Sequence, residues 1–390
     1  MLTRVISIFA LITALAFSCS VSFLKVPYHK NRQSNTPLFR FERKGKAGYI
    51  DANGKVVIAP QFDIGWFSEE DFVDGLSPAR MGENWGFIDV VGKWVIPAKY
   101  WRVEAFSEGL AAVTLPVHTN FAREYIDKNG NTVIRLSEGF AEAGQFSEGL
   151  AAVRRNGSNS VGKLGYIDRS GKLVIPYQFA DGGPFREGLA AVVFDGQCYV
   201  EARDGTRRGT PPSVPAATSC GGVPAFITQR CSEGFIDRTG KAVLRFDGVR
   251  DFSEGLAAVE KGGKWGFIEP NGSFRVQPQF EAARSFSEGL AAAKNEGKWG
   301  YVDGSGQWVI RPSFSSADDF SDGVALTDNG YIDKAGKEII LAKNGTAFVQ
   351  GLAHVPLGDG EFGYMNHLGK IIFRYRPDAV KPSSLPYSAR

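Results

Sequence analysis

The sequence has few of the residues that most often carry chemistry. Four His, four Cys and three Met occur among its 390 residues, and no two His have the spacing of a zinc motif. P-loop, Gly-x-Ser-x-Gly and zincin motifs are missing. The formal net charge of +3 lacks the basic stripe of a nucleic-acid-binding protein. We therefore expect a protein that is not an enzyme, has no metal or cofactor, and binds no nucleic acid.

Glycine and aromatic residues, by contrast, are abundant. The chain contains 47 Gly, and 12% of its residues are aromatic. The glycines do not recur at every third position, which excludes a collagen-like chain, and the aromatic content excludes a flexible linker. Many short strands separated by tight turns account for both numbers. Composition therefore predicts an all-β protein.

An apolar run near the N-terminus bears on the compartment. Val5 to Leu24 covers 20 residues, which as a helix would span about 30 Å, the thickness of a bilayer core. We interpret residues 1–24 as a signal peptide, with an uncleaved membrane anchor as the alternative. Cys19, preceded by Ala16-Phe17-Ser18, resembles the lipidated cysteine of bacterial lipoproteins. The chain is therefore expected to be exported or associated with the cell envelope.

Basic residues follow the apolar run. Between Lys25 and Lys46 there are seven basic residues and one acidic residue, Glu42. We interpret residues 25–40 as a basic linker along a membrane surface. Because positive charge beside an apolar segment tends to stay cytoplasmic, the side of the membrane that the rest of the chain faces stays open. Residues 376–390 form a polar C-terminal tail.

Two short strings recur through the rest of the chain. Gly-(Phe/Tyr)-Ile-Asp, or a variant of it, occurs ten times at intervals of 30 to 41 residues. Phe-Ser-Glu-Gly-Leu-Ala falls between these copies, and its intact versions begin at Phe106, Phe146, Phe252 and Phe286. Two strings that share one phase define a tandem repeat.

A single unit shows how the repeat is expected to fold. Residues 256–260 and 265–269 read as two strands joined by a turn at Gly262-Gly263. Asn271-Gly272 predicts a two-residue hairpin turn into a third strand, and residues 279–288 connect to the next unit. We therefore predict an all-β tandem array of about ten three-stranded β-meanders. The array forms an open solenoid or curved array, with a closed β-propeller of four-stranded blades as the alternative.

These units resemble the bacterial WG-containing repeat, also called the KWG repeat. The resemblance is carried by Lys264-Trp265-Gly266-Phe267-Ile268, Lys298-Trp299-Gly300-Tyr301-Val302 and Asn84-Trp85-Gly86-Phe87-Ile88-Asp89. It covers residues 41–375 and implies a repeat architecture without a particular activity. In five units another residue replaces the Trp, and these residues are Ala47, Leu164, Glu233, Asn329 and Phe362.

Two acidic positions recur with the repeat. An Asp ends the second strand in seven units and precedes a turn, where its carboxylate can accept backbone N–H groups; a calcium ladder is the alternative that we reject. The Glu of Ser-Glu-Gly recurs in unit after unit, unlike a catalytic carboxylate pair. Both positions are therefore predicted to be structural. The Asp residues are Asp51, Asp89, Asp127, Asp168, Asp237, Asp303 and Asp333.

The seven Trp residues divide into two groups. Trp85, Trp265 and Trp299 are expected to pack between units. The other four are candidates for exposed aromatic faces that stack on sugar rings, as in cell-wall-binding repeats. These candidate ligand-binding residues are Trp66, Trp94, Trp101 and Trp308.

Three cysteines cluster in one degenerate unit with an irregular loop, residues 198–233. We predict a disulfide between Cys220 and Cys231 there, with Cys198 left over and three free thiols as the alternative. The loop is interpreted as an inserted recognition element.

The functional prediction follows from the repeat. We expect a non-enzymatic binding or scaffold protein of the cell envelope. Its partners would be another protein or cell-wall glycan, contacted through an extended β-repeat surface, and a membrane, contacted through the N-terminal segment. An enzyme with its site in residues 198–233 is the second hypothesis.

Overall fold

The structure is a computed structural model that describes residues 37–64, 72–116, 122–136, 139–155, 162–202, 207–209, 227–342 and 344–377. For residues 195–202, 207–209 and 227–231 it describes the backbone. Every helix or strand in these ranges is a β-strand, which confirms the all-β prediction. Within the same ranges, no helix has the length and apolarity to cross a membrane.

The described part of the chain contains thirty-two strands. They are β1 (Phe39–Arg43), β2 (Lys46–Ile50), β3 (Val56–Asp63), β4 (Leu76–Met81), β5 (Asn84–Asp89), β6 (Trp94–Tyr100), β7 (Arg102–Val103), β8 (Ala111–Thr114), β9 (Arg123–Ile126), β10 (Thr132–Arg135), β11 (Phe140–Ser147), β12 (Leu150–Arg155), β13 (Leu164–Asp168), β14 (Leu173–Arg186), β15 (Leu189–Ala202), β16 (Arg207–Gly209), β17 (Ile227–Ile236), β18 (Ala242–Phe246), β19 (Gly248–Val249), β20 (Ala257–Lys261), β21 (Lys264–Ile268), β22 (Phe274–Phe280), β23 (Ala282–Ala283), β24 (Ala291–Asn295), β25 (Lys298–Val302), β26 (Trp308–Phe314), β27 (Val324–Thr327), β28 (Gly330–Asp333), β29 (Glu338–Ile340), β30 (Leu352–Gly358), β31 (Glu361–Asn366) and β32 (Ile371–Tyr375).

The strands form nine antiparallel meanders, counted over the described residues. Each meander, called a unit below, has the Gly-(Phe/Tyr)-Ile-Asp strand in its middle: β2, β5, β9, β13, β17, β21, β25, β28 and β31. The degenerate tenth copy, residues 198–201, is not a unit of its own. It lies in the outer part of β15, which pairs with the outer part of β17. Unit 5 therefore carries an extended hairpin.

The segment between units is itself paired, which the sequence did not predict. Gly248–Val249 and Ala282–Ala283 form short strands beside the first long strand of their units, so that these sheets have four strands. A Ser-Glu-Gly-Leu turn lies between the short strand and the first long strand of each of these units. In unit 6 both central residues of this turn have positive φ, 56° at Glu254 and 82° at Gly255. This geometry is that of a two-residue type I′ turn, the one that matches strand twist.

The turn after the middle strand differs from its prediction. At Asn271-Gly272 only Gly272 has positive φ, and its N–H donates to the Glu269 carbonyl at 2.8 Å. The loop is thus a type I turn followed by a left-handed glycine, a three-residue hairpin loop rather than a two-residue one. The strand that follows contains one extra residue, so that Phe267 pairs with Val276 and Ile268 with Phe274.

The recurring Asp holds this turn, as predicted. In unit 3, Oδ1 of Asp127 accepts the backbone N–H groups of Asn129 and Asn131, both at 2.9 Å. Hydrogen bonds from the side chain and backbone of Asn131 lower the pKa of Asp127, so the carboxylate stays ionised as an acceptor. The other six Asp residues accept the same pair of N–H groups.

Consecutive units pack face to face through the turn glycine. A Cβ at Gly171 would lie 2.7 Å from Cγ2 of Ile134 in the preceding unit, so only glycine allows this approach. The contact recurs in all nine units, and the glycine–partner pairs are Gly92–Ile58, Gly130–Ile96, Gly171–Ile134, Gly240–Ile175, Gly272–Leu244, Gly306–Val276, Gly336–Ile310, Gly369–Ile340 and Gly54–Ile372. The last pair joins the first unit to the ninth.

The array therefore closes on itself. Phe41 of unit 1 packs edge-on against Phe373 and Tyr375 of unit 9, with ring centroids 4.8 and 6.1 Å apart, and the Tyr364 hydroxyl donates to the Arg40 carbonyl. Nine buried apolar clusters lie between neighbouring units, one of them at this closing contact. Of the two arrangements expected from the sequence, the closed ring of sheets, as in a β-propeller, matches these contacts.

The glycine of the Trp-Gly string is required for a different reason from the turn glycine. A Cβ at Gly266 would lie 2.5 Å from the carbonyl oxygen of Val276 on the neighbouring strand, because that strand crosses directly over the glycine. The aromatic residue before it and the apolar residues after it can pack only if this backbone contact is kept. The same close approach to a third-strand carbonyl recurs at Gly48 and Gly165.

We expect Gly266→Ala to lower the free energy of unfolding by about 1–3 kcal/mol, the usual range for forcing extra atoms into a packed site. Gly304→Ala is the matched control, because a Cβ there would first meet Leu256 at 3.8 Å. Urea titration of both variants measures the difference. Equal stabilities would show that the backbone crossing does not require glycine.

We expect Phe41→Ala to lower the free energy of unfolding by about 3–5 kcal/mol, since the ring is fully buried at the closing contact. Leu368→Ala, at a side chain 88% exposed, should leave it unchanged. Thermal and urea unfolding measure both variants. A loss below about 1 kcal/mol for Phe41→Ala would mean that closure contributes little to stability.

Candidate functional site

The Phe-Ser-Glu-Gly-Leu-Ala string links each unit to the next. In unit 3, the Ser107 hydroxyl donates to the Phe146 carbonyl of unit 4 at 2.7 Å, and Glu108 accepts the Gly149 N–H at 3.1 Å. The Glu–Gly bond recurs at Glu148–Gly188, Glu187–Gly255, Glu254–Gly289 and Glu288–Gly323. These carboxylates bind the neighbouring backbone, which agrees with the structural role predicted for them.

The three Trp residues expected to pack between units differ in how deeply they are buried. Trp85 is 5% exposed, whereas Trp265 and Trp299 are half-buried. Arg250 lies over the Trp265 ring, with its guanidinium carbon 5.4 Å from the centroid, and Arg284 lies over Trp299 at 5.8 Å. Arginine thus covers the half-buried rings through cation–π contacts.

The Trp residues expected to be ligand-binding have different surroundings. Trp94 lies perpendicular to Phe62 of the preceding unit, 5.5 Å between centroids, and Trp308 contacts Phe280 in the same way at 5.5 Å. Both rings are half-buried. Trp101 is 45% exposed, and its backbone N–H donates to the Thr114 carbonyl at 2.9 Å. Trp66 lies outside the described residues.

A small depression with a cavity volume of about 10 Å³ opens beside Arg102, Glu104, Thr114 and Arg123 in unit 3. Arg102 pairs with Glu104 at 2.9 Å, and Arg123 donates to the Thr114 hydroxyl at 2.8 Å. Burial raises the pKa of Glu104 and lowers that of Arg123. Sites for small molecules are usually larger, about 300–1,000 Å³, so we interpret this group as a local ion-pair network.

The third long strand of every unit carries a bulge, and its extra residue is exposed in seven units. Val174 is half-buried, and so is Ile372, which contacts Gly54 of unit 1. The first and third residues of the bulge pair with consecutive residues of the middle strand, so that the residue between them is the extra one. Such bulges turn a side chain out of the alternating pattern. We call these nine residues the bulge row: Val57, Val95, Val133, Val174, Val243, Arg275, Val309, Ile339 and Ile372.

Eight of the nine residues in the bulge row are Val or Ile. Six of them, in units 1, 2, 3, 5, 7 and 8, are 40–51% exposed, although a bulge does not require an apolar side chain. Apolar groups that recur at one exposed position of successive units form an extended surface suited to a protein partner. The bulge row is thus the candidate functional site.

The bulge row was not predicted, although the sequence contains a signal for it. Eight of the nine third strands, all but that of unit 6, contain successive apolar residues, as in Val56-Val57-Ile58. A strand buried on one face alternates apolar and polar residues, so three apolar residues in succession indicate a bulge or exposure.

Two of the cysteines lie on the two strands of the extended hairpin of unit 5. The backbone register pairs Cys198 of β15 with Cys231 of β17. Cys220, predicted as the partner of Cys231, lies outside the described residues, as does Cys19. The predicted Cys220–Cys231 disulfide therefore stays a prediction.

His354 lies at the closing contact of the ring. Its imidazole is parallel to Phe362, 5.2 Å between centroids and 9° between planes, and its Nε2 lies 2.7 Å from the Tyr375 hydroxyl. Burial lowers the pKa of His354, because the charged form loses solvation among these aromatic rings.

The described residues form β-meander repeats, and a model of the WG containing repeat matches the chain at residues 48–85, 85–115, 125–158, 165–198, 234–265, 265–299 and 299–327. The chain belongs to the WG containing repeat family, which confirms the resemblance seen in its Trp-Gly strings. No curated protein sequence matches it.

Solved structures show a distant likeness. BamB from Moraxella catarrhalis is 11% identical, with 78% of this chain and 86% of that chain covered and a TM-score of 0.37. Hsv2p from Kluyveromyces lactis is 9% identical, with 77% and 95% covered and a TM-score of 0.34. A europium-containing methanol dehydrogenase is 12% identical, with 88% and 77% covered and a TM-score of 0.33.

Lowering the pH should weaken the ring through His354. In the unfolded chain this imidazole takes up a proton near its ordinary pKa of about 6.5, whereas the folded protein resists it. Its contribution to stability is therefore complete above that pH and is lost as the pH falls below it. His354→Phe removes the titrating group and keeps an aromatic ring.

Urea titrations between pH about 7.5 and about 5.5, a range that spans the ordinary histidine pKa, measure this effect. The free energy of unfolding of the unsubstituted protein should fall more steeply with decreasing pH than that of His354→Phe. Parallel curves would contradict the assignment.

Proposed function

We propose that this protein is a non-enzymatic scaffold of the cell envelope that binds another protein along its bulge row. The observation that supports this proposal is the recurrence of exposed Val or Ile at one position of successive units. The faces of the sheets pack against the neighbouring units. The bulge residues are turned away from this packing and therefore form the repeated exposed surface. Interfaces of this kind bury apolar side chains surrounded by polar groups.

A protein partner is favoured over cell-wall glycan by the positions of the aromatic rings. Sugar-binding aromatic residues need an open face for stacking, whereas Trp94 and Trp308 contact Phe62 and Phe280 of the preceding units. Trp101 is the described Trp with the largest exposed fraction and is the residue on which a glycan interaction would depend.

The envelope location is proposed from the N-terminal sequence. Residues 1–24 would direct export or anchor the chain, Cys19 would carry a lipid if the segment is processed as in lipoproteins, and residues 25–40 would contact the membrane surface. Mass spectrometry of the N-terminus of the mature protein distinguishes these outcomes. A mature chain that starts at a lipidated Cys19 supports a lipoprotein, whereas an intact Met1 supports an anchor.

Site-specific photo-cross-linking in living cells tests the binding surface. A photoreactive residue at Val95, Val133 or Val309 should yield the same cross-linked protein, which mass spectrometry then identifies. Val91 and Leu368, which are exposed apolar residues in turns outside the bulge row, are the matched control positions. Equal cross-linking from the controls would contradict the proposal.

Purified components complete the test. Val95→Asp together with Val133→Asp should weaken binding of the identified partner at least tenfold, with stability changed by less than about 0.5 kcal/mol, as is usual for exposed sites. Val91→Asp should leave binding unchanged. Retention on purified cell-wall glycan that is lost in Trp101→Ala would instead support the glycan alternative.

A further inference from the structure

The extended hairpin of unit 5 starts from a firm base in the ring. Ala190 pairs with Ile236 and Val192 with Gly234, and Ala190, Val192 and Ile236 are buried. The guanidinium carbon of Arg245 lies 4.1 Å from the centroid of the Phe194 ring, which covers that ring where the hairpin leaves its unit. The base of the hairpin is therefore part of the apolar core.

Directly beyond this base the ladder is interrupted. Val193 pairs with Glu233, and the next pair is Cys198 with Cys231, so that residues 194–197 lie opposite Ser232 alone. A bulge of this size removes several ladder hydrogen bonds and bends the hairpin. The outer part, where Tyr199 pairs with Arg230 and Ala202 with Ile227, is thus joined to the ring through a weak point.

The first pair beyond the weak point consists of two cysteines. Directly opposite residues of an antiparallel ladder share one face of the sheet, and their Cα atoms are separated by about 4.5 or 5.5 Å, depending on the kind of pair. Both separations fall within the range of about 4.4–6.8 Å for disulfides. The backbone thus places Cys198 and Cys231 at a register position that a disulfide can bridge without rearrangement.

We propose that Cys198 and Cys231 form a cross-strand disulfide that fixes the outer hairpin to the ring. The two thiols lose two protons and two electrons as the S–S bond forms, and a disulfide-containing oxidant accepts both and is reduced to two thiols. The bond closes a loop over residues 199–230 and leaves Cys220 as a free thiol. It does not depend on the proposed binding of a partner along the bulge row.

Thiol quantification in the full-length chain tests the bond. The protein, purified in detergent with Cys19→Ser and Cys220→Ser, is equilibrated with oxidised and reduced glutathione and then alkylated. After oxidation no thiol should react in the folded protein, and after reduction two should react. Two reactive thiols under the most oxidising condition would overturn the proposal.

Peptide mapping of the unsubstituted chain distinguishes the possible pairings. Non-reducing digestion should yield a peptide that joins Cys198 to Cys231, with Cys220 alkylated, and Cys220→Ser should yield the same linked peptide. Cys198→Ser should abolish it. A peptide that joins Cys220 to Cys231 in the unsubstituted protein would overturn the proposal and support the pairing expected from the sequence.

A failure to fold is recognised separately. The reduced protein and the Cys198→Ser, Cys231→Ser double variant should show the same thermal transition of the ring, because both cysteines pair beyond the interruption that separates the outer hairpin from the ring. Reduced protein that lacks this transition would contradict the placement of the bond outside the ring.

Discussion

The contact between a turn glycine and an aliphatic side chain of the preceding unit is the constraint on which the rest of the ring depends. A single three-stranded meander is not stable in water, because both faces of its sheet carry apolar side chains that would be exposed. Pressing the turn of one unit onto the third strand of the unit before it brings the two faces together. The nine contacts of this kind, which end with Gly54 on Ile372, keep the sheets in a fixed relation.

The bulge follows from the same constraint. Trp94 faces Phe62 of the unit before it, whereas Ile96, two residues later, receives Gly130 of the unit after it. In a regular strand these two side chains would point to the same face. The extra residue, Val95, reverses the alternation and is itself turned outward. The bulge row is thus a consequence of a strand that packs against both neighbouring units. It is also a surface available for binding.

The sequence allowed the local structure to be predicted and left the long-range structure open. Turn chemistry at Asp127 is local, because its carboxylate accepts N–H groups of residues two and four positions away. Nine of the ten repeated strings marked middle strands correctly, and the copy at residues 198–201 did not. Closure depends on Phe41 and Tyr375, which are distant in sequence and match no repeated string. The pairing of the Ser-Glu-Gly turn was missed because its Glu adopts positive φ, which sequence rules reserve mainly for Gly, Asn and Asp.

A closed ring also restricts how the gene can vary. In an open solenoid, duplication of one repeat adds a layer and leaves the end layers in place. Here an added or deleted copy would separate Phe41 from Phe373 and change the angle at every contact between units. Copy number would therefore be under strong selection, whereas single hairpins could lengthen freely at their tips. The extended hairpin of unit 5 lies at such a position.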